Sequence, residues 1–239
     1  MGMPNKPDYF GLSDNSDMLA MKSSSLNRSS TWVEAKNARG DIVAQESLGD
    51  QASPSASYEV KGSGKLSFSL GKVYTIGNRK FCLGSVTIRT ALASVPSIEC
   101  SGEMVEDTAT DANSRHIGLS EVTLEHWHDA QILAGAFTLG SNANGAAGKY
   151  HLNECTYNLT AEITKATVNG KCVAHDISGG RITVSVTIVQ VDELESDPVV
   201  TPGDGWTMSS PLTPSNPDAD YPTWTCELSK PLLSQDAAS

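Results

Sequence analysis

The sequence lacks the features that most often mark a membrane protein or an enzyme. No run of eighteen apolar residues occurs in its 239 residues, so no segment is predicted to cross a membrane as a helix. The first twenty residues contain no apolar stretch of the kind that directs export, and we expect synthesis in the cytoplasm. No nucleophile-elbow, phosphate-binding-loop or His-Glu-x-x-His motif is present. We therefore predict that the protein is not an enzyme, that it has no catalytic or cofactor-binding residues, and that it uses no cofactor.

Basic residues are also scarce and scattered. Lys and Arg number 17 against 28 Asp and Glu, which gives a net charge of −11 and a pI near 4.8. A fixed DNA- or RNA-binding surface needs clustered cations that displace counterions from phosphate. The sequence has no such cluster, so we expect no specific nucleic-acid binding.

The five cysteines form no Cys-x-x-Cys pair, and their number is odd. Cys100, Cys155 and Cys226 alternate in phase with apolar neighbours, as buried side chains of a strand do. We predict free, reduced thiols in the core. The alternative, a disulfide framework, is typical of short exported chains.

Strict alternation between apolar and hydroxyl side chains is the strongest pattern in the chain. It runs through RITVSVTIVQV (residues 181–191), where a phase shift at Val189 indicates a bulge or strand end, and through Cys155–Ile163. Turn residues separate such segments at Asn37–Asp41, Asn169–Gly170 and Gly179–Gly180. The pattern predicts an all-β fold, an antiparallel β-sandwich or barrel, with residues 181–191 as the central strand.

Three segments do not follow the strand pattern. Residues 1–30 are polar and lack periodicity, so we predict a flexible N-terminal arm in front of a β-domain at 31–239. Residues 192–220 hold five prolines and are predicted to form a long loop, interrupted by a short strand at 206–208. His128–Phe137 is rich in Ala and Leu, which favours one short helix, although Gly135 weakens it.

Two parts of the chain resemble each other. Val95–Cys100 (VPSIEC) and Tyr221–Cys226 (YPTWTC) share the order apolar, Pro, hydroxyl, apolar, polar, Cys, and each follows a β-branched strand. One interpretation is a duplication into two β-modules, about 31–115 and 116–239. The other is chance similarity between strands of like composition.

One histidine pair could bind a metal. His126 and His128 would face the same way on a strand beside Asp129, with His151 or His175 as a third ligand. The alternative is a pair of surface or interface histidines around Trp127. We predict no metal site, because no spacing nominates the third ligand.

The combination of an all-β pattern, an acidic net charge, a polar N-terminal arm, long glycine- and proline-rich loops and no catalytic motif resembles bacteriophage virion proteins, above all tail tube (major tail) proteins. The residues that carry the resemblance are STWVEAKNARGDIVAQES, VTIRTALASVPSIECSGE and DGWTMSSPLTPSNPDADYPTWTCELSK. The resemblance implies a β-sandwich or barrel with a flanking helix, and a virion subunit that assembles into stacked rings around a DNA conduit. It implies partners of two kinds, further copies of the chain and other virion proteins, with DNA passing through unbound. If the modules are duplicated, three chains would present six similar modules.

Two other functions fit the same pattern. The protein could be a different virion component, such as a capsid decoration, baseplate or collar protein. It could also be a carbohydrate-binding β-sandwich in which Trp32, Trp127, Trp206 or Trp224 stacks on a sugar.

Overall fold

The computed structural model describes residues 7–12, 17–62, 64–92, 94–105, 117–124, 135–141, 143, 148–168, 171–194 and 197–232. Within these ranges the chain forms thirteen β-strands and no α-helix. They are β1 (Leu19–Lys36), β2 (Ile42–Val60), β3 (Gly64–Leu70), β4 (Val73–Ile76), β5 (Arg79–Ala91), β6 (Ser97–Met104), β7 (Ile117–Leu124), β8 (Phe137–Leu139), β9 (Tyr150–Val168), β10 (Lys171–Gln190), β11 (Val200–Pro202), β12 (Thr207–Pro214) and β13 (Thr223–Pro231). The predicted all-β class is confirmed.

One large antiparallel sheet organises the molecule. Its strands follow the order β1-β2-β6-β5-β9-β10-β13-β12, and β4 pairs with β5 beside this path. The strands of this order do not close into a barrel. Two hairpins, β1–β2 and β9–β10, supply the longest strands, each of 18 to 20 residues.

The predicted central strand lies inside this sheet as part of β10. Its apolar residues Ile182, Val184, Val186 and Ile188 are each no more than 2% exposed, while the hydroxyl residues between them are half-buried. The phase shift coincides with a register shift between Thr187 and Ile188 against β9. The period-two pattern therefore gives the correct face of the strand.

A second layer covers the apolar face of the large sheet. It contains the two-stranded sheets β3–β7 and β8–β11, together with the N-terminal segment 7–12. Leu66 and Phe68 of β3, Phe137 of β8 and Val200 of β11 join one core cluster with the large sheet. The architecture is sandwich-like, because the apolar sheet face is buried against a second β-layer.

The N-terminal segment differs from the predicted flexible arm. Tyr9, Phe10 and Leu12 are at most 7% exposed, and residues 19–30 form the first part of β1. Phe10 meets the Tyr74 ring edge-on at 5.9 Å, and Asp8 accepts a hydrogen bond of 2.9 Å from the buried Tyr58 hydroxyl. The prediction of an unstructured segment is therefore wrong for residues 7–12 and 19–30.

Three further predictions are changed by the structure. Residues 192–220, predicted as a loop with a strand at 206–208, contain β11 and the eight-residue β12. Gly179–Gly180, predicted as a turn, lies within β10 at a register shift between Ser178 and Arg181, where Gly179 has a positive φ of 63°. Of the predicted helix at 128–137, residues 128–134 lie outside the described part, and Phe137 begins β8.

The predicted turn between the first two strands is confirmed. Asn37 Oδ1 accepts hydrogen bonds from the backbone N–H groups of Arg39 and Asp41, at 2.9 and 3.0 Å. This Asx-type turn connects β1 to β2. The last residue of β9, Val168, pairs with the first of β10, Lys171, and the predicted turn residues 169–170 between them lie outside the described part.

All five cysteines are free and buried, as predicted. Burial raises the pKa of Cys155 to about 12 and that of Cys226 to about 11, and it raises the pKa of Cys100 further. These thiols stay protonated at neutral pH and pack as small apolar groups.

Candidate functional site

The candidate site is the polar face of the large sheet, opposite the core. Alternation places hydroxyl and amide side chains there from the strands β1, β2, β6, β5, β9, β10 and β13, outside the projecting parts of the hairpins. We call this surface the hydroxyl face, and define it by Ser23, Ser25, Ser55, Ser57, Ser85, Thr87, Ser97, Glu99, Ser101, Thr156, Asn158, Thr183, Ser185, Thr187, Thr225, Glu227 and Ser229.

Hydrogen bonds between neighbouring strands order this face. The Oγ atoms of Ser25 and Ser55 lie 2.7 Å apart, as do those of Ser85 and Ser101. Thr87 Oγ1 donates to Asn158 Oδ1 at 2.9 Å where β5 meets β9. Hydroxyl groups that are already paired present a neutral, wettable surface, and cross-strand pairs of this kind also stabilise the sheet.

Two basic side chains along this face, Lys22 and Arg89, are held by carboxylates. Lys22 is paired with Glu59, and Arg89 Nε donates to Glu154 Oε1 at 2.7 Å. Nearer the β9–β10 hairpin, Lys165 is paired with Glu103.

Other charged side chains of the face are not in such pairs. Glu99 is exposed, and Glu227 accepts a hydrogen bond of 2.9 Å from Ser209. Arg181 is exposed at one end of the hydroxyl rows. Together with the net charge of −11, this arrangement gives phosphate few cations to bind.

A shallow depression of about 390 Å³ lies on the hydroxyl face. Its walls come from β1, β2, β5 and β6 and are mostly serine, with Glu99 and Thr87 beside them. No aromatic side chain lines this depression. It therefore offers no ring for stacking on a sugar, which the carbohydrate-binding alternative requires.

The predicted sugar-stacking tryptophans are dispersed. Trp206 and Trp224 pack against the core, and Trp32 is 56% exposed on the β1–β2 hairpin. Trp224 Nε1 donates a hydrogen bond of 3.4 Å to Gln190. Trp127 lies outside the described residues.

The histidine candidates are not brought together by the described part of the chain. His126, His128 and Asp129 lie outside it, while His151 is half-buried on β9 and His175 on β10. Within the described ranges, no three His, Cys, Asp or Glu side chains come close enough to hold a metal ion.

Both long hairpins project beyond the core and carry exposed apolar side chains. On β1–β2 these are Trp32, Val33, Ile42 and Val43, between 48% and 62% exposed. On β9–β10, Val168 and Val173 are 58% and 45% exposed. Trp32 and Val33 are successive strand residues, so both faces of the β1–β2 ribbon carry an exposed apolar side chain.

Sequence reasoning missed the ion pairs and the N-terminal contact. Lys22–Glu59 and Arg89–Glu154 join residues that are distant in the chain, and only the strand register brings them together. Tyr58 is fully buried, and its burial, followed by its hydrogen bond to Asp8, raises the pKa of its hydroxyl far above the usual value.

Comparisons with protein-family models and with curated proteins found no match to this chain. The described residues include no helix that is long and apolar enough to cross a membrane.

Proposed function

We propose that this protein is a structural subunit of a virion, a phage tail tube protein that assembles with itself into stacked rings around a DNA conduit. The hydroxyl face carries this proposal. It is a broad, ordered surface of serine, threonine and asparagine whose basic groups Lys22 and Arg89 are paired with carboxylates. A surface along which DNA must pass has to be wetted and must not bind phosphate, and these are its properties.

The rest of the molecule supports self-assembly. The large sheet ends in the strands β1 and β12, and each has a strand partner on one side only among the described strands. An unpaired sheet edge is a ready site for pairing with another chain. The exposed apolar residues Trp32 and Val43 on the β1–β2 hairpin would be covered by a subunit of the next ring.

In this proposal the protein acts without catalysis or cofactor. Its partners are copies of itself and other virion components, while DNA passes through without specific contacts. It is made in the host cytoplasm and functions in the virion. A different virion component built on the same sheet would also self-assemble, but into single rings or caps.

The purified full-length chain tests the proposal. We expect negative-stain electron microscopy to show rings or tubes with a central channel, and sedimentation velocity to show large species whose fraction rises with concentration. Duplex DNA mixed with these assemblies should remain unbound at low salt. A chain that stays monomeric at every concentration tested, alone and with other virion components, would refute the proposal; sugar binding by that monomer would favour a carbohydrate-binding module.

A further inference from the structure

The two halves of the large sheet are built in the same way. The first half contains the hairpin β1–β2, then β6 beside β2, then β5; the second contains the hairpin β9–β10, then β13 beside β10, then β12. In each half the strand farthest from the hairpin, β5 or β12, comes before its neighbour, β6 or β13, in the sequence. The same strand order therefore occurs twice along the chain.

The repeat extends to single backbone hydrogen bonds. The carbonyl of Met18 accepts from the N–H groups of Lys61 and Gly62, at 2.7 and 3.2 Å. At the matching place in the second half, the carbonyl of Lys149 accepts from Val191 and Asp192, at 2.9 and 3.2 Å.

The two proline motifs that suggested a duplication occupy matching positions as well. Val60 N–H donates to the Pro96 carbonyl at 2.9 Å, and Gln190 N–H donates to the Pro222 carbonyl at 2.8 Å. Cys100 then lies opposite Ala56, and Cys226 opposite Val186, at the same distance from these bonds.

Irregularities of the sheet also recur. β1 shifts register between Met21 and Ser23, and β9 between Leu152 and Glu154. Each shift begins three residues after the matching carbonyl, Met18 or Lys149, at the open end of its hairpin. Bulges are fixed local features of a fold, so their recurrence at matching positions indicates a duplicated module.

A second pair of irregularities agrees with the first. β5 shifts register between Leu83 and Ser85 against β6, and β12 shifts between Met208 and Ser210 against β13. β12 has one further shift, between Ser210 and Thr213, that β5 lacks, so beyond it the partner strands set the match. Thr87 lies opposite Glu99 and Thr213 opposite Thr225, each three residues after its motif proline, so Thr87 corresponds to Thr213. Asn158 and Asn27 lie at the same distance beyond the shifts of β9 and β1 and correspond to each other.

The two halves meet where β5 pairs with β9. Leu92 N–H donates to the Asn153 carbonyl at 2.7 Å, and the side chains of Thr87 and Asn158 are hydrogen-bonded beside it. This junction joins the outermost strand of the first half to the first strand of the second. The corresponding strands at the sheet ends are β12 and β1.

We propose that β12 of one copy pairs antiparallel with β1 of the next copy in the register of the internal β5–β9 junction. This inference rests on the proposed self-assembly and names the surfaces that carry it. Thr213 would lie opposite Asn27, and Ser215 opposite Ser25. A contact of this kind joins different surfaces of two copies head to tail. It closes into a ring when the rotation from one copy to the next divides a full turn.

The chemistry of the two edges fits this pairing. Thr213 and Asn27 are the same residue types as Thr87 and Asn158, so the hydrogen bond between those side chains can form again between copies. Thr87 and Asn158 are half-buried at the internal junction, whereas Thr213 and Asn27 are exposed in the single chain. The edges thus carry polar groups that match each other across copies.

A proline limits what else can pair with β12. Ser215 N–H donates into the sheet, to the Thr223 carbonyl at 2.8 Å, so alternation turns the backbone nitrogen of Pro214 toward the open edge. Pro214 has no N–H to donate, so the intermolecular hydrogen bond at this position must run from an N–H group of β1 to a carbonyl of β12.

Disulfide trapping tests the register. The Leu92–Asn153 bond makes Thr87 and Asn158 a non-hydrogen-bonded pair, whose Cα atoms lie roughly 4.5 Å apart, within the range of a disulfide. Asn27→Cys combined with Thr213→Cys should therefore give covalent multimers, up to a closed ring, when assembled protein is oxidised and run on a non-reducing gel. Ser25→Cys with Ser215→Cys is a second pair that should behave likewise.

The controls come from the same chain. Thr87→Cys with Asn158→Cys should form a disulfide within one chain and shows that the oxidation works. Ser23→Cys with Thr213→Cys moves one thiol four residues along the strand, roughly 13 Å, and should give no multimers. The wild-type chain should give none either, because its five cysteines are buried.

Each outcome decides between the two proposals. Rings that yield no multimers from either predicted pair, while the internal control is oxidised, would overturn the β12–β1 register and leave the tube proposal standing. Dimers formed by a single-cysteine variant, Asn27→Cys or Thr213→Cys alone, would show like-with-like edge pairing and overturn it too. An absence of any assembly in sedimentation would overturn both.

Discussion

Replacing Phe10 by alanine should destabilise the protein by about 4 kcal/mol, which is within the range for deleting a buried Phe side chain. Phe10 is 1% exposed and meets Tyr74 edge-on with ring centroids 5.9 Å apart, a contact that adds about 1 kcal/mol to burial. Its ring also faces Gly102, where an added Cβ would lie 3.2 Å from the Phe10 ring. The cavity would be walled by sheet backbone, which cannot collapse, so the loss should exceed the lower end of that range.

Equilibrium urea unfolding measures this effect. With a slope of about 3 kcal/mol per molar urea, the midpoint should fall by more than about 1 M. Trp32→Ala is the matched control: it also removes an aromatic ring from the N-terminal part of the chain, but one that is 56% exposed, and it should change stability by less than about 0.5 kcal/mol. Equal midpoints for the two variants would show that the N-terminal segment is not part of the core.

Three other predictions follow from the sheet. Val184→Asp should prevent folding, seen as loss of the β-type dichroism spectrum, because it buries a charge at a fully buried position of β10, whereas Ser185→Asp on the other face should fold. Burial raises the pKa of Cys226 to about 11 and that of Cys155 to about 12, from an ordinary value of 9.0. The protonated thiols therefore stabilise the fold fully below pH 9, and the urea midpoint should fall as the pH rises from 9 toward 11. Cys226→Ala should make this fall shallower, and an unchanged slope would contradict the prediction. Glu99→Lys combined with Glu154→Lys should make the assemblies retain duplex DNA at low salt and release it at high salt. The two changes add cations to the hydroxyl face, and the second also frees Arg89 from its ion pair. No retention in a mobility-shift assay would show that this face does not meet DNA.

Strands β9 and β10 were readable from the sequence where their residues keep strict alternation. In β10, four apolar residues from Ile182 to Ile188 alternate with hydroxyl residues without a break, and their burial follows the pattern. The turn at Asn37–Asp41 was equally local, since Asn37 makes its hydrogen bonds within five residues. Local periodicity is enough where no bulge interrupts it.

The first strand was not readable for a physical reason. The extra residue Lys22 shifts the register of β1, so the half-buried Met21 and Leu26 fall out of phase with each other along the chain. Ser23 and Ser25 between them are hydrogen-bonded to Ser57 and Ser55 of β2, but only the fold shows this. β12 was missed because Pro211 and Pro214 argue against a strand, although proline is tolerated at a sheet edge. The hydroxyl face was implied by alternation, whereas its ion pairs depend on register.

The proposed pairing of β12 with β1 would account for the features that the two open sheet edges carry. An edge that must pair with a copy of the chain cannot be blocked completely, yet a fully open edge would pair with any strand. β12 meets both demands, because Pro214 removes one edge donor while Thr213 stays exposed and can repeat the internal Thr87–Asn158 contact with Asn27 of another copy. β1 is protected differently, because its exposed side chains from Ser23 to Ser30 are serines with Asn27 and Arg28, which gain little from pairing with an apolar strand. In the proposed register each open edge would be paired, and the hydroxyl rows would continue from one chain into the next without a change in side-chain chemistry.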